Sequence, residues 1–231
     1  MLALVDSDRD VWVIVPAYNE AEPLGALLAT LCQQPYRVVV VDDGSSDATA
    51  EVAGRHPVYL LRHLCNLGQG AALRTGLDFA LARGAGILVT FDADGQHGAD
   101  DIQRLVDPIL EGRVDVTLGS RFLGRAEGLP ISRRCILKLG VLFTRVFSQV
   151  RVTDTHNGLR GFSRDAARKI PITEDGMAHA SQILDEIRRQ KLRFCEVPVH
   201  VRYTDRTLQK GQSNWNAVKV AGKFLVGRIL R

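Results

Sequence analysis

The residues best equipped for chemistry are Asp92-Ala93-Asp94-Gly95-Gln96-His97, directly after the apolar run Ile87–Phe91. Two carboxylates one residue apart at the end of a strand repel each other unless a cation lies between them. Hard oxygen ligands of this kind suit Mg²⁺ or Mn²⁺, with diphosphate oxygens completing the octahedron. A metal held there neutralises charge on a departing nucleoside diphosphate. The bland alternative is an acidic turn that caps the following helix, and D-x-D alone is a weak signal.

Its company strengthens the metal reading. Val38–Asp47 reads V-V-V-V-D-D-G-S-S-D, a buried β-branched run that ends in Asp42 and Asp43. Carboxylates at such a position accept bonds from ribose hydroxyls or base N–H groups. Ser45, Ser46 or Asp47 also suits a helix cap, so Asp42 and Asp43 are expected to face ligand while Ser46 or Asp47 caps. Asn66-Leu67-Gly68-Gln69-Gly70 opens a helical stretch whose first N–H groups could meet anions, although it lacks P-loop spacing.

These segments need a scaffold that brings them together. Apolar runs at Val11–Val15, Tyr36–Val41, Val58–Leu61, Ile87–Phe91 and Asp115–Leu118 alternate with helical patterns at Glu20–Gln33, Ser45–Gly54, Gly68–Arg83 and Asp100–Glu111. That alternation predicts an α/β fold with a doubly wound, mostly parallel sheet flanked by helices. Ligands of such sheets bind beyond the carboxyl ends of the strands. The rule selects Pro16–Glu20, Asp42–Asp47, Asn66–Gly70 and Asp92–His97, all rich in Asp, Asn, Gly or Glu.

The second half differs. Ile131–Val150 is helical in length and apolar on a broad face, with Arg133, Arg134, Lys138 and Arg145 beside it. Gly176–Gln190 reads as a further helix, Arg193–Val201 as an edge strand interrupted by Pro198, and Ser213–Arg231 as a basic helix. No repeat or low-complexity linker divides the 231 residues, so one domain is expected over 1–231.

No run of 18 apolar residues exists, and Met1–Asp10 does not read as a signal peptide. The four cysteines are scattered and read as reduced thiols of a cytoplasmic protein. The net charge of +4 conceals an asymmetry: Arg188–Arg231 holds eleven Lys or Arg against two acids. Basic surface suits nucleic acid, anionic lipid or polyphosphate. Neither zinc-finger spacing nor an RNA-binding aromatic strand is present, so nucleic acid is not expected.

Taken together, V-W-V-I-V-P-A-Y-N-E (11–20), V-D-D-G-S-S-D (41–47), N-L-G-Q-G-A-A-L-R-T-G (66–76) and D-A-D-G-Q-H (92–97) resemble the inverting GT-A glycosyltransferases of family 2. G-S-R-F (119–122), D-T-H-N-G-L-R-G-F (154–162) and E-V-P-V (196–199) resemble the branch of dolichol-phosphate mannose synthase and the polyprenyl-phosphate glycosyltransferases. The resemblance spans about residues 11–215 and implies a GT-A, Rossmann-like fold. It implies a nucleotide-sugar half over about 11–120 and an acceptor and membrane-interface half over about 121–231, with amphipathic helices in the latter.

Residue by residue, the resemblance implies that Pro16, Ala17, Tyr18 and Glu20 hold base and ribose, joined by Asp42 and Asp43. It implies that Asp92 and Ala93 lie at the donor ribose or sugar and that Asp94 and Gln96 bind Mg²⁺ or Mn²⁺. Arg121 and Arg133 or Arg134 resemble arginines that hold the donor diphosphate and the acceptor phosphate. Two departures stand out: Gln69 replaces the usual Lys or Arg of N-x-G-[KR]-G, and Gly211-Gln212-Ser213-Asn214 replaces G-x-S-K.

The expected activity is transfer of a hexose, mannose or glucose, from a GDP- or UDP-linked donor to a dolichyl or undecaprenyl phosphate. The expected location is the cytoplasmic inner face of a membrane, held peripherally or through a separate membrane-spanning partner. A family 2 enzyme acting on a saccharide hydroxyl would need a base such as Asp154 or Asp185. A sugar nucleotidyltransferase would need a glycine-rich basic loop where this chain has P-A-Y-N-E, and a haloacid-dehalogenase-type phosphatase carries its D-x-D near the N-terminus. A nucleotide-sugar sensor would tolerate loss of Asp94 or Gln96, and both are present.

Overall fold

The computed structural model describes residues 10–147 and 150–203, and side chains 143–147 lie outside that description. Seven strands form one sheet in the order β3-β2-β1-β4-β6-β5-β7. β1 (Val11–Ala17), β2 (Arg37–Asp42), β3 (Tyr59–Arg62) and β4 (Ile87–Thr90) run parallel. Their helical crossovers are α1 (Ala21–Leu31), α2 (Thr49–Ala53) and α3 (Gln69–Ala82). Such crossovers cover both faces of a sheet, which is why its strands read as continuous apolar runs.

Alternation along β1 assigns the two faces. Val11, Val13 and Val15 pack with Leu24 and Leu28 of α1 and with Ile102 and Leu105 of α4 (Asp100–Leu110). Trp12 and Ile14 pack on the other side with Leu73 and Leu77 of α3 and with Ile183, Leu184 and Ile187 of α7 (His179–Arg189). Pro16 continues β1, opposite Val41, instead of ending it. Pairing with β4 stops at Ile14, so the proline stands at the rim where one ladder has already ended.

The second half corrects the sequence reading. β5 runs from Val116 to Glu127, far beyond the expected Leu118, and does not pair with β4. Between them lies β6 (Arg160–Ser163), antiparallel to both and followed by α6 (Arg164–Lys169). Neither was expected. β7 (Phe194–Arg202) pairs with β5 at the sheet edge, where Pro198 is tolerated, and bridges back to His97 through Val201. A register shift opens in β5 between Ser120 and Arg125, just beside that proline.

α5 (Ile131–Phe147) forms where the amphipathic pattern placed a helix, with Ile131, Leu139 and Leu142 exposed. The rest of the expected apolar face, which includes Phe143 and Phe147, and the expected Ser213–Arg231 helix lie outside the description. No helix among the described residues is long and apolar enough to cross a membrane.

Candidate active site

Parallel strands end on one rim, and the rim loops here are sewn to each other. The loop after β1 donates to the loop after β2: Asn19 N–H to Ser45 Oγ at 2.9 Å and Glu20 N–H to Thr49 Oγ1 at 2.9 Å. Asn19 takes a left-handed turn (φ 54°) and its Oδ1 accepts Ser46 N–H at 2.9 Å. Asp47 accepts Thr49 N–H at 2.9 Å and Ala21 N–H at 3.2 Å, joining the starts of α2 and α1. The expected cap at Ser46 or Asp47 does not form: the N-cap positions are Ala48 and Glu20, and Asp47 instead bridges the first amides of the two helices. Tyr18 stands exposed beside this seam, while Pro16 and Ala17 are buried within β1.

Asp42 and Asp43 are both buried at the rim and tied to neighbouring donors. Asp42 accepts Ser45 N–H at 3.0 Å and Arg62 Nε–H at 3.2 Å. Asp43 accepts Leu67 N–H at 3.0 Å and Gly68 N–H at 2.8 Å and meets His63 Nδ1 at 2.7 Å. Buried carboxylates must have their lone pairs satisfied, and the nearby backbone does so. The next amides, Gly70 and Ala71, donate to Asp175 O at 2.7 and 3.2 Å. The N–H groups read as an anion cradle are thus consumed by Asp43 and by the 175 carbonyl.

The acidic centre forms where β4 ends. Asp92 accepts Gln69 Nε2–H at 2.9 Å, so the neutral residue standing in place of the usual cation holds this carboxylate. On its other side Asp92 lies against Gly158, where any Cβ would fall 2.1 Å from Oδ2. Burial pushes the Asp92 carboxyl above the ordinary range, and Arg160, Arg121 and the Gln69 bond act against that rise. Burial and then the neighbouring Asp92 push Asp94 up to about 7, Glu20 contributing in the same direction. Asp94 Oδ1 accepts Gln96 N–H at 3.0 Å, and Gln96 O accepts Arg202 N–H at 2.9 Å. The end of β7 is thereby tied to the acidic loop.

Three acids whose ionisation opposes one another are what a cation relieves. Among the described residues no cluster of three His, Cys, Asp or Glu forms a closed metal cage. Asp94 offers carboxylate oxygens, the hard donor type that a divalent ion with diphosphate and water ligands takes.

Comparison with known proteins places the chain in a family. A family model described as glycosyl transferase family 2 matches residues 12–171. The chain belongs to glycosyl transferase family 2. It is 30% identical over 250 residues to the UDP-N-acetylglucosamine–dolichyl-phosphate N-acetylglucosaminyltransferase of Methanococcus voltae, covering 97% of this chain and 99% of the relative. It is 31% identical over 231 residues to the polyprenol monophosphomannose synthase of Mycolicibacterium smegmatis, covering 95% and 86%. Glucosyl-3-phosphoglycerate synthase of Mycobacterium tuberculosis, solved with Mn²⁺, uridine diphosphate and glucosyl-3-phosphoglycerate, has a TM-score of 0.67 at 18% identity. That likeness covers 92% of this chain and 78% of that one and shows the GT-A fold.

In this family 2 transferase, arginines from the second half complete the rim. Arg121 is buried. Its backbone N–H and Nε–H donate to Asp154 Oδ2 at 3.1 and 2.6 Å, and its Nη1 donates to the Tyr203 hydroxyl. Glu196 braces the arrangement by accepting Thr153 N–H at 2.8 Å and Asp154 N–H at 3.2 Å. Arg133, at the start of α5, places its guanidinium 5.6 Å from the Tyr203 ring centre, while Arg134 is exposed.

The sequence reading did not single out Arg160. It is buried and donates to the carbonyls of Asn157 at 3.1 Å, Thr155 at 3.2 Å and Ala180 at 3.4 Å. Burial lowers its pKa to about 10, against the pull of Asp92 and Asp154. By holding those carbonyls it fixes the turn that carries Gly158 against Asp92. The signal was present in N-G-L-R-G-F, where one Arg interrupts an apolar and glycine run.

Proposed function

We propose that this transferase moves a hexose, with inversion, from a nucleoside diphosphate sugar to a polyprenyl phosphate presented at a membrane surface. The observation that carries the acceptor class is the state of Asp154. A hydroxyl acceptor needs a carboxylate base. Asp154, a candidate for that base, is instead bound to Arg121 Nε–H at 2.6 Å and to Arg121 N–H at 3.1 Å. A phosphate monoester, with its second pKa near 6, is already an anion at neutral pH and needs no base.

Tyr18 and Glu20, with the remaining lone pairs of Asp42 and Asp43, would border base and ribose, and Pro16 and Ala17 shape that wall. Asp92 and Ala93 would lie at the donor sugar. Asp94 and Gln96 would hold Mg²⁺ or Mn²⁺, which supplies charge neutralisation for the departing diphosphate. Arg121, Arg133 and Arg134 would draw the acceptor phosphate in against its repulsion by the donor. Gln69 and Gly158 keep Asp92 in one orientation, which would limit the search for a reactive geometry at the donor sugar.

A donor screen with Mn²⁺ present, comparing GDP-mannose, UDP-glucose and UDP-N-acetylglucosamine, tests this directly. Nucleotide release with polyprenyl phosphate should exceed release with free polyprenol or oligosaccharide by about a hundredfold, the size of an unpaired charged contact. Equal rates on a free saccharide would move the reading to the hydroxyl-acceptor class.

The lipid acceptor requires contact with a bilayer, and α5 supplies a surface for it. Ile131 is 82% exposed, Leu139 64% and Leu142 58%, with exposed Arg134 and Lys138 beside them. An apolar face flanked by cations lies in the headgroup region, each cation adding about 1 kcal/mol near an anionic leaflet. Wild-type protein should sediment with anionic liposomes at low salt, and Leu139→Ser with Leu142→Ser should stay largely in solution. Wild-type protein left in the supernatant would assign delivery of the acceptor to a separate membrane-spanning partner.

A further inference from the structure

Arg121 and Arg133 come from different elements, β5 and α5, and like charges resist being brought together. A single side chain lies between them. Tyr203 is 9% exposed, follows β7 directly and donates its backbone N–H to Glu127 O at 2.9 Å. Its hydroxyl oxygen accepts from Arg121 Nη1, and its ring carries the Arg133 guanidinium 5.6 Å from the ring centre. One aromatic ring thus serves one arginine through its oxygen and the other through its π system.

The two contacts draw on different properties of the ring. A phenol oxygen is a hydrogen-bond acceptor, and the ring face has a negative quadrupole. Each lowers the cost of a nearby cation without adding a formal negative charge. An acidic spacer would neutralise the pair and weaken its hold on an anion. Asp154 already offsets the charge of Arg121, so Arg133 brings the second positive charge while Arg121 offers its remaining N–H donors.

We propose that Tyr203 is a positioning residue that spaces Arg121 and Arg133 so that both guanidiniums converge on one phosphate group. The proposal rests on the reading of these arginines as anion-binding groups, and it assigns to Tyr203 the geometry of that binding. It also separates two contributions: the hydroxyl orients Arg121, and the ring seats Arg133.

Three proteins test it: wild type, Tyr203→Phe and Tyr203→Leu. Calorimetry measures farnesyl phosphate and, separately, inorganic phosphate; a second titration measures the nucleotide sugar, and thermal melts report the fold. Phe keeps the ring and loses the oxygen, so it should weaken both phosphates about tenfold, the size of one hydrogen bond to a charged group. Leu loses both and should weaken them roughly tenfold more, which makes Phe a partial rescue of Leu. Nucleotide-sugar affinity of Tyr203→Phe should stay at the wild-type value, and its melt should remain cooperative, lowered only by the loss of one buried hydrogen bond.

Unchanged phosphate affinity in Tyr203→Phe would overturn the proposal. So would equal losses in Phe and Leu, or a parallel loss of nucleotide-sugar affinity, which would mark a purely structural role. Wild type that binds neither phosphate would overturn it as well. Transfer to a saccharide hydroxyl, with phosphate binding still dependent on Tyr203, would sink the acceptor reading and leave this one standing.

Discussion

Replacing Asp94 with Asn should lower transfer by about a thousandfold, yet raise the melting temperature of the metal-free protein at pH 8. Both effects follow from one carboxylate. Asn keeps the shape, and its Oδ1 still accepts the Gln96 N–H, so the loop keeps its form. It removes the charge on which a divalent ion depends. The stability effect comes from the raised pKa, about 7 in the folded chain against an ordinary 3.8. Between those values the folded chain holds a proton that the unfolded chain has released. Stability therefore falls as pH rises from about 4 to about 7, and above that range the full cost remains. Three units correspond to ~4 kcal/mol at most, and partial exposure screens this to roughly 2 kcal/mol. Melting curves in chelator from pH 4 to 8 should slope downward for wild type more than for Asp94→Asn. A metal-free variant that melts below wild type at pH 8 would refute the electrostatic account, as full wild-type activity in excess chelator would refute the metal.

Asp154→Ala should cost on the order of 4 kcal/mol of stability, because it strands the Arg121 guanidinium in a buried place. Asp154 accepts from Arg121 twice and from His156 N–H at 3.3 Å, so three donors lose their acceptor at once. The pair itself is a different matter. Exchanging both partners for apolar groups, as in Arg121→Met with Asp154→Leu, removes the unpaired charge and should recover much of the loss. Neither protein should transfer sugar. Denaturant midpoints with unchanged slopes measure the difference. The account fails if Asp154→Ala stays within about 1 kcal/mol of wild type, or if the double replacement is weaker than the single.

The first half was readable because its cues are local. Val38–Val41 is apolar at every position, as a strand covered on both faces must be, and Asp42 marks where it leaves the sheet. The same logic placed Asp92 and Asp94 on the shared rim. It could not say which donors a rim carboxylate meets: Asp43 is tied to His63 and to the amides of Leu67 and Gly68, which lie close only after folding. β6 was missed for a related reason. Four residues, two of them Arg160 and Gly161, show no alternation, and their strand character comes from pairing with both β4 and β5. Tyr203 escaped notice because its partners, Arg121 and Arg133, are distant in sequence.

The reversed direction of β6 has a consequence for how such an enzyme changes its substrates. A forward strand contributes to the rim the loop that follows it; a reversed strand contributes the loop that precedes it. Loops from β1, β2 and β3 therefore meet β4 from one side, while the turn before β6 and the extension of β5 meet it from the other. The strip around Asp92, touched by Gln69 from the first group and Gly158 from the second, belongs to both. On the proposed assignment of donor to the first group of loops and acceptor to the second, exchanging the loops of one group should change one preference and leave the other.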